Sequence, residues 1–284
     1  MTTPPPDGSR DRRIEDPSNR WLIHPSARAL LPFALRARVS ANAVSLTGLA
    51  IGAGAAWAYS HWSSPVAAVA GLLLSVGWLI ADGLDGMIAR ATGTASPLGR
   101  FLDGVCDHGV FILIYLALAF SVNTAEGWVL AVVAGIAHGV QSSLYEGERT
   151  RYHRRLKGMA EVDAPPLSAN PLVRWYDALA GSVGRLARPF ETALADSSSP
   201  ERMGQAYGAD AVAPMRFLSL LSANVRVLLI FLACLAGRPA LFWWLEIVAL
   251  TAIAAIGLVW HRRVEQRFGP PSASHGGGRP SFFA

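Results

Sequence analysis

Apolar residues in this chain fall into long unbroken blocks separated by short polar turns, with neither the strict alternation of a half-buried strand nor the narrow stripe of a surface helix. Six blocks, at 43–61, 66–89, 98–121, 127–145, 217–236 and 240–260, are each long and apolar enough to cross a bilayer as a helix, which takes roughly 20 residues. The pattern predicts an all-α polytopic membrane protein with six transmembrane helices. Ahead of the first block, "WLIHPSARALLPFALRARVS" mixes Leu22, Ile23, Leu30, Leu31, Phe33 and Leu35 with Arg28, Arg36 and Arg38. That mixture predicts an N-terminal amphipathic helix lying on the membrane surface.

The polar segments divide the chain further. Residues 1–20 are polar and proline-rich and read as a disordered tail, as do residues 264–284. Residues 21–145 hold the amphipathic helix and spans one to four, and residues 215–263 hold spans five and six. Between them lies a long insertion at 146–214. It opens on "EGERTRYHRRLKG", which extends span four, and three prolines in "VDAPPLSANP" then break the helix. Leu172, Trp175, Tyr176, Leu179, Val183 and Leu186 recur at helical spacing and predict an interfacial helix, and "ADSSSPERMGQAYGADA" reads as a mobile loop.

Composition agrees with the blocks: 52% of the 284 residues are hydrophobic, 16% are charged, and the mean hydropathy is +0.32. Basic residues gather on one side of the spans, in the N-terminal segment, the 90–100 turn, the insertion and "HRRVEQR". The excess of cytoplasmic arginine places both termini in the cytoplasm, as in a bacterial inner membrane. The formal charge of +5 suits an anionic leaflet. No aromatic–basic module accompanies it, so nucleic acid is not an expected partner. Cys106 and Cys234 both fall inside spans and imply no disulfide framework.

Chemistry concentrates in residues 82–107, "DGLDGMIARATGTASPLGRFLDGVCD". Gly93 as an end cap and Ser96-Pro97 as a helix start make "TGTA" a tight turn between spans two and three. Counting about 1.5 Å per residue from that turn, Asp85 and Asp103 stand about 9–10 Å above it, and Asp82 and Asp107 about 15 Å. Asp82, Asp85, Gly86, Ala89 and Arg90 share one helix face, and Gly99, Asp103 and Asp107 form an i, i+4, i+8 stripe on the next helix. Four carboxylates so close would repel one another or take up protons. Two divalent cations such as Mg²⁺ or Mn²⁺ remove that conflict, and paired metals suit phosphoryl transfer. Arg90 on the same face could neutralise a diphosphate. Tight packing of small residues explains the glycines alone but not four acids at matched depth. A divalent-cation transporter also uses buried carboxylates and is the rival class, yet it has no evident need for Gly86, Arg90 and Gly99 at fixed spacing.

The stretch fits D-x2-D-G-x2-A-R-x8-G-x3-D-x3-D at every fixed position, and in this it resembles the signature of the CDP-alcohol phosphotransferases. "SANAVS" at 40–45 is similar to the family's P-N-x2-T element, with Asn42 and Ser45 in the Asn and Thr places and Ala41 in that of the proline. The resemblance implies a six-helix membrane enzyme, commonly a homodimer, that releases CMP as it moves a phosphoalcohol from a CDP-linked donor to a hydroxyl. By position, Asp82, Asp85, Asp103 and Asp107 would bind the metals, and Asp107 would also act as general base. Asn42, Ser45, Asp82, Gly86, Ala89, Arg90 and Gly99 would contact the CDP group. An inactive relative that only binds nucleotide would keep the same residues.

Outside the signature, His138, Gln141, Tyr145 and Arg149 run down one face of span four, and Arg226 lies inside span five beside Asn224. An ionisable residue at membrane depth is a functional candidate. Tyr145, Arg149 and Arg226 are therefore expected to bind the acceptor alcohol, and two arginines suit a phosphorylated polyol. CDP-diacylglycerol is the expected donor, a CDP-linked headgroup with a lipid acceptor being the alternative. His108 is expected to pack rather than ligate, and Glu246 to pair with a residue such as Arg238.

Overall fold

The computed structural model describes residues 11–94, 97–161 and 188–269, and among these the ordered elements are all helical. A π-helical turn over Asn19–Ile23 runs into α1 (His24–Arg36). Four long helices follow: α2 (Ala41–Ser60), α3 (Pro65–Thr92), α4 (Pro97–Val122) and α5 (Ala125–Leu156). Their starts are fixed locally. The side chains of Ser40, Ser64 and Thr124 accept hydrogen bonds from the backbone N–H of Ala43, Ala67 and Gly127, and Pro65 follows the second of these caps. Helix α3 stops at Gly93, whose φ of 67° only glycine adopts freely, and the N–H of Thr94 closes the last turn onto Ala89 O at 3.0 Å. The expected cap at Ser96 lies outside the described residues.

The later part of the insertion holds two short helices, α6 (Arg188–Ala195) and α7 (Pro200–Asp210), α8 (Val212–Leu218) leads out of it, and α9 (Ala223–Leu235) and α10 (Ala240–Gln266) follow. Among the described residues, five helices are long and apolar enough to span: α2, α3, α4 from Gly104, α5 and α10. Val212–Leu221 and α9 make a sixth span if read as one, bent by 45°. The bend sits at Ser222, whose extended backbone (ψ 156°) caps α9 instead of continuing the preceding turn. Helix α5, at 32 residues about 48 Å long, outreaches the roughly 30 Å hydrocarbon core and projects beyond it.

Interior positions of the spans meet in one core of Tyr59, Trp78, Val110, Ile114, Tyr115, Phe242 and Trp243. Small residues let the helices approach: a Cβ on Gly52 of α2 would come within 2.3 Å of Val110 on α4. Trp57, Val66, Leu73, Ile112, Phe120 and Ile136 stay exposed, as a lipid solvent allows. The expected amphipathic helix is α1. It buries His24 and Ala27 against α3 and leaves Leu30, Phe33 and Leu35 exposed.

Three segments read from sequence as unstructured are ordered in whole or part; one is the start of the tail expected at 264–284, where α10 runs to Gln266 and buries Val264 and Glu265. Residues 1–10 and 270–284 lie outside the described residues, but Asp11–Asn19 forms a strap across the helix ends. Tyr152 donates to Asp11 at 2.7 Å, Arg216 to the Arg13 carbonyl at 2.6 Å, and Asn224 to Ser18 and Asn19 at 2.7 and 2.9 Å. Burial opposes ionisation of Asp11, yet hydrogen bonds from Arg13 and Tyr152 hold its pKa down to about 2. This anchor is thus fully present above the ordinary carboxylate pKa and is lost only as the pH falls through about 2.

The third segment is α7, expected as a mobile loop. Gly204 and Gly208, four apart, seat it against the end of α5: a Cβ would lie 2.2 Å from Arg155 O at the first and 2.3 Å from Leu156 at the second. The interfacial helix expected over 172–186 lies outside the described residues. Gly204→Ala should lower the unfolding midpoint in detergent, by about 1–3 kcal/mol of overpacking. Gly139→Ala, where nothing lies within 4 Å, should show no loss.

Candidate functional site

The hairpin of α3 and α4 lines two cavities that meet at Asp85, Gly86 and Arg90. One, of about 570 Å³, lies against the start of α2; the other, of about 460 Å³, opens toward α5, α9 and the strap. The smaller takes Asp82, Asp107, Tyr145 and Arg149 into its wall, and the larger takes Asn42, Ser45, Ala89 and Gly99. Residues distant in sequence and singled out on separate grounds therefore surround two joined spaces. Asp103 lies on α4, but its side chain is outside the described part of the structure.

In the larger cavity, Ser40 starts α2 so that its first turn faces α3. The Ser45 hydroxyl then reaches Asp85 Oδ2 at 2.6 Å, shorter than its 3.2 Å contact with Ala41 O. Both Ser45 and Asp85 are buried. A charge-assisted bond of that length fixes the carboxylate's rotamer. Arg90 lies across Gly86, where a Cβ would come within 3.3 Å of its guanidinium. The missing side chain gives the guanidinium access to the junction of the two cavities.

In the smaller cavity, Tyr145 is buried and Arg149 pairs with Glu146 at 2.9 Å. His108, expected to be a packing residue, is exposed on the cavity wall, its Nδ1 tied to Gly104 O of its own helix at 2.8 Å. Arg226 departs furthest from expectation, being 1% exposed and absent from the wall of either cavity. Its Nε donates to Glu246 at 3.0 Å and an Nη to Gln141 Oε1 at 2.8 Å. Glu246 correspondingly pairs with Arg226, not Arg238. An arginine at membrane depth needs such a partner, and this one consumes the donors that an acceptor would have used.

The donor set of the α3–α4 hairpin fits hard divalent ions: Asp82, Asp85 and Asp107 bring carboxylate oxygens to one cavity, the ligand type that Mg²⁺ and Mn²⁺ prefer. A second group, Glu148, His261 and Glu265, has ligand atoms within 4.8 Å of one another. Its chemistry differs. Arg151 donates to Glu148 at 2.6 Å, Arg262 pairs with both glutamates, and Arg155 pairs with Glu265. His261 is bonded at both nitrogens, to Glu148 at 2.6 Å and to the Tyr207 hydroxyl at 2.7 Å. Arginines already neutralise these carboxylates, so the group is a buried ionic network that ties α5 to α10 and α7.

Residues 38–151 match the family model described as CDP-alcohol phosphatidyltransferase. The match covers 114 of the 284 residues. No curated protein matches the chain at a significant level. The matched region runs from just before α2 to Arg151 near the end of α5, and so includes every signature residue. Glu15, Asp16 and Asn19 of the strap, His24 at the start of α1, and Ser222 and Asn224 at the start of α9 lie outside it, yet they complete the smaller cavity. Sequence reading passed over the strap residues because the strap's few apolar residues match no element period. The available signal was "EDPSN", acids and a turn former directly before an amphipathic helix.

Removing one partner of the buried pair, as in Arg226→Met or Glu246→Gln, should cost about 3–5 kcal/mol in an unfolding measurement, while replacing both with apolar residues should recover most of it.

Proposed function

We propose that this membrane protein moves a phosphatidyl group from CDP-diacylglycerol to a hydroxyl of a polar acceptor, with release of CMP. The observation that carries this reading is the pair of cavities joined at Asp85, Gly86 and Arg90, one beside Asn42 and Ser45 and the other beside Asp82 and Asp107. Such an arrangement suits a nucleotide on one side, an alcohol on the other and a diphosphate at the junction.

In this reading the larger cavity takes the cytidine end of the donor. Asn42, Ser45, Ala89 and Gly99 line it, Gly86 keeps the backbone accessible, and Arg90 meets the diphosphate. Asp82, Asp85, Asp103 and Asp107 would hold two divalent ions, Mg²⁺ or Mn²⁺. When bound, the ions polarise the phosphate and stabilise the leaving oxygen. Ser45 orients Asp85 as a ligand through its 2.6 Å hydrogen bond. Asp107 takes the proton of the acceptor hydroxyl as its oxygen bonds to phosphorus, and the bond to CMP breaks. Tyr145 and Arg149 stand where they can contact the acceptor. The enzyme acts as a homodimer in the bacterial inner membrane with both termini cytoplasmic, the insertion and strap then facing the cytoplasm.

Asp107→Asn tests the proposal. It should leave binding of radiolabelled CDP with Mn²⁺ unchanged and lower turnover by about 10²–10⁴-fold. Undiminished turnover would remove Asp107 as the base. Ser45→Ala should raise the metal concentration needed for half-maximal activity by about 10–100-fold; an unchanged requirement would dissociate Ser45 from the metal site.

A further inference from the structure

The N-terminal strap supplies a wall of the smaller cavity that the family match does not cover. Asp16 anchors it: Oδ1 accepts from the Ser18 N–H at 2.8 Å, and Oδ2 accepts from Ser222 at 3.2 Å. The first bond is a turn within the strap, and the second fixes the strap over the start of α9, where the helix N-terminus favours a carboxylate. Glu15 is thereby held at the cavity wall, 3.3 Å from His24. Among the described residues, seven carboxylates line this cavity against two guanidiniums. Glu146 is paired with Arg149 and Asp11 with Arg13, which leaves Glu15 and Asp16 beside the three hairpin aspartates, with Arg90 at the junction with the larger cavity. The other arginine of the region, Arg226, is held by Glu246.

Divalent ions at Asp82, Asp85 and Asp107 would not cancel this excess, because the donor's diphosphate brings negative charge of its own. The wall left for an acceptor therefore has a surplus of acid, together with neutral hydrogen-bonding groups. Asn224 and Ser142 belong to it, as does His138, buried, 3.7 Å from Glu246 and with its Nδ1 lacking a hydrogen bond. An incoming phosphate would meet like charge, which disfavours it against an uncharged competitor. Selection by such a repulsive element is how a site rejects a competitor of similar shape.

We infer that the strap makes this cavity select a small alcohol without negative charge, either a polyol or an amino alcohol, over its phosphorylated counterpart, with Glu15 as the specificity-determining residue. The inference rests on the transferase reading above, and it replaces the phosphorylated acceptor that Arg226 had suggested.

The test is CMP release by the full chain in liposomes with CDP-diacylglycerol and Mn²⁺. Inositol, glycerol, serine and ethanolamine are each supplied separately and compared with inositol phosphate and glycerol 3-phosphate. At least one uncharged or amine-bearing acceptor should exceed both phosphates in kcat/KM by about 100-fold or more. Glu15→Arg should shrink that ratio about tenfold or more through the acceptor KM, leaving the donor KM unchanged. Phosphorylated acceptors used equally well or better by the wild-type protein would overturn the inference while upholding the transferase. A ratio unchanged in folded Glu15→Arg would overturn the role of Glu15. Absence of CMP with all acceptors would overturn the transferase reading and the inference with it. Should Glu15→Arg fail to fold, the wild-type ratio still decides the selectivity.

Discussion

Carboxylates gathered in one cavity at the end of a helix bundle repel one another, and much of this structure is arranged around that repulsion. Asp82, Asp85 and Asp107 line the same space, and Asp103 sits one helical turn from Asp107. In a partly dry site such a group favours either protonation or cations. The local geometry favours cations: Asp85 is oriented by a short bond from Ser45, and the tight turn after Gly93 keeps α3 and α4 adjacent. In the proposed reading, ions at these aspartates would stand beside whatever phosphate enters the site.

The rest of the bundle supports that hairpin. Helix α2 brings Asn42 and Ser45 to one cavity, and its close contact with α4 depends on Gly52. At the other cavity, the projecting end of α5 offers Tyr145 and Arg149. Beyond it, the network of Glu148, His261, Arg155, Arg262 and Glu265 ties α5 to α10. The strap closes the remaining side through Asp16 and Ser222. Charge pairs at depth therefore divide into two kinds. Those between arginine and glutamate are satisfied within the protein, and the aspartates of the hairpin face a cavity.

Sequence reading succeeded where one physical rule dominates. Length and apolarity predicted the five long spans found among the described residues, and the aspartate spacing drew attention to Asp82, Asp85 and Asp107, which line a cavity whose role is a proposal. It failed where tertiary partners decide. Arg226 carries the same intramembrane signal whether it binds a ligand or Glu246, since a partner in another helix leaves no mark in the local pattern. Helix α7 looked like a loop because its polar residues and two glycines lower helix propensity. Those same glycines permit the contact with α5 that orders it. The strap was missed for a related reason, being held by single hydrogen bonds to three different helices and not by any periodic face.

The central claim, that the hairpin carboxylates hold metal for phosphatidyl transfer, is tested most directly by stripping the purified protein with EDTA. CMP release from CDP-diacylglycerol in the presence of an acceptor alcohol is then followed before and after metal is restored. The account predicts no CMP from the stripped protein and acceptor-dependent release once Mg²⁺ or Mn²⁺ returns. Release undiminished by EDTA, or none with metal present for any pairing of CDP-linked donor and alcohol, would contradict it.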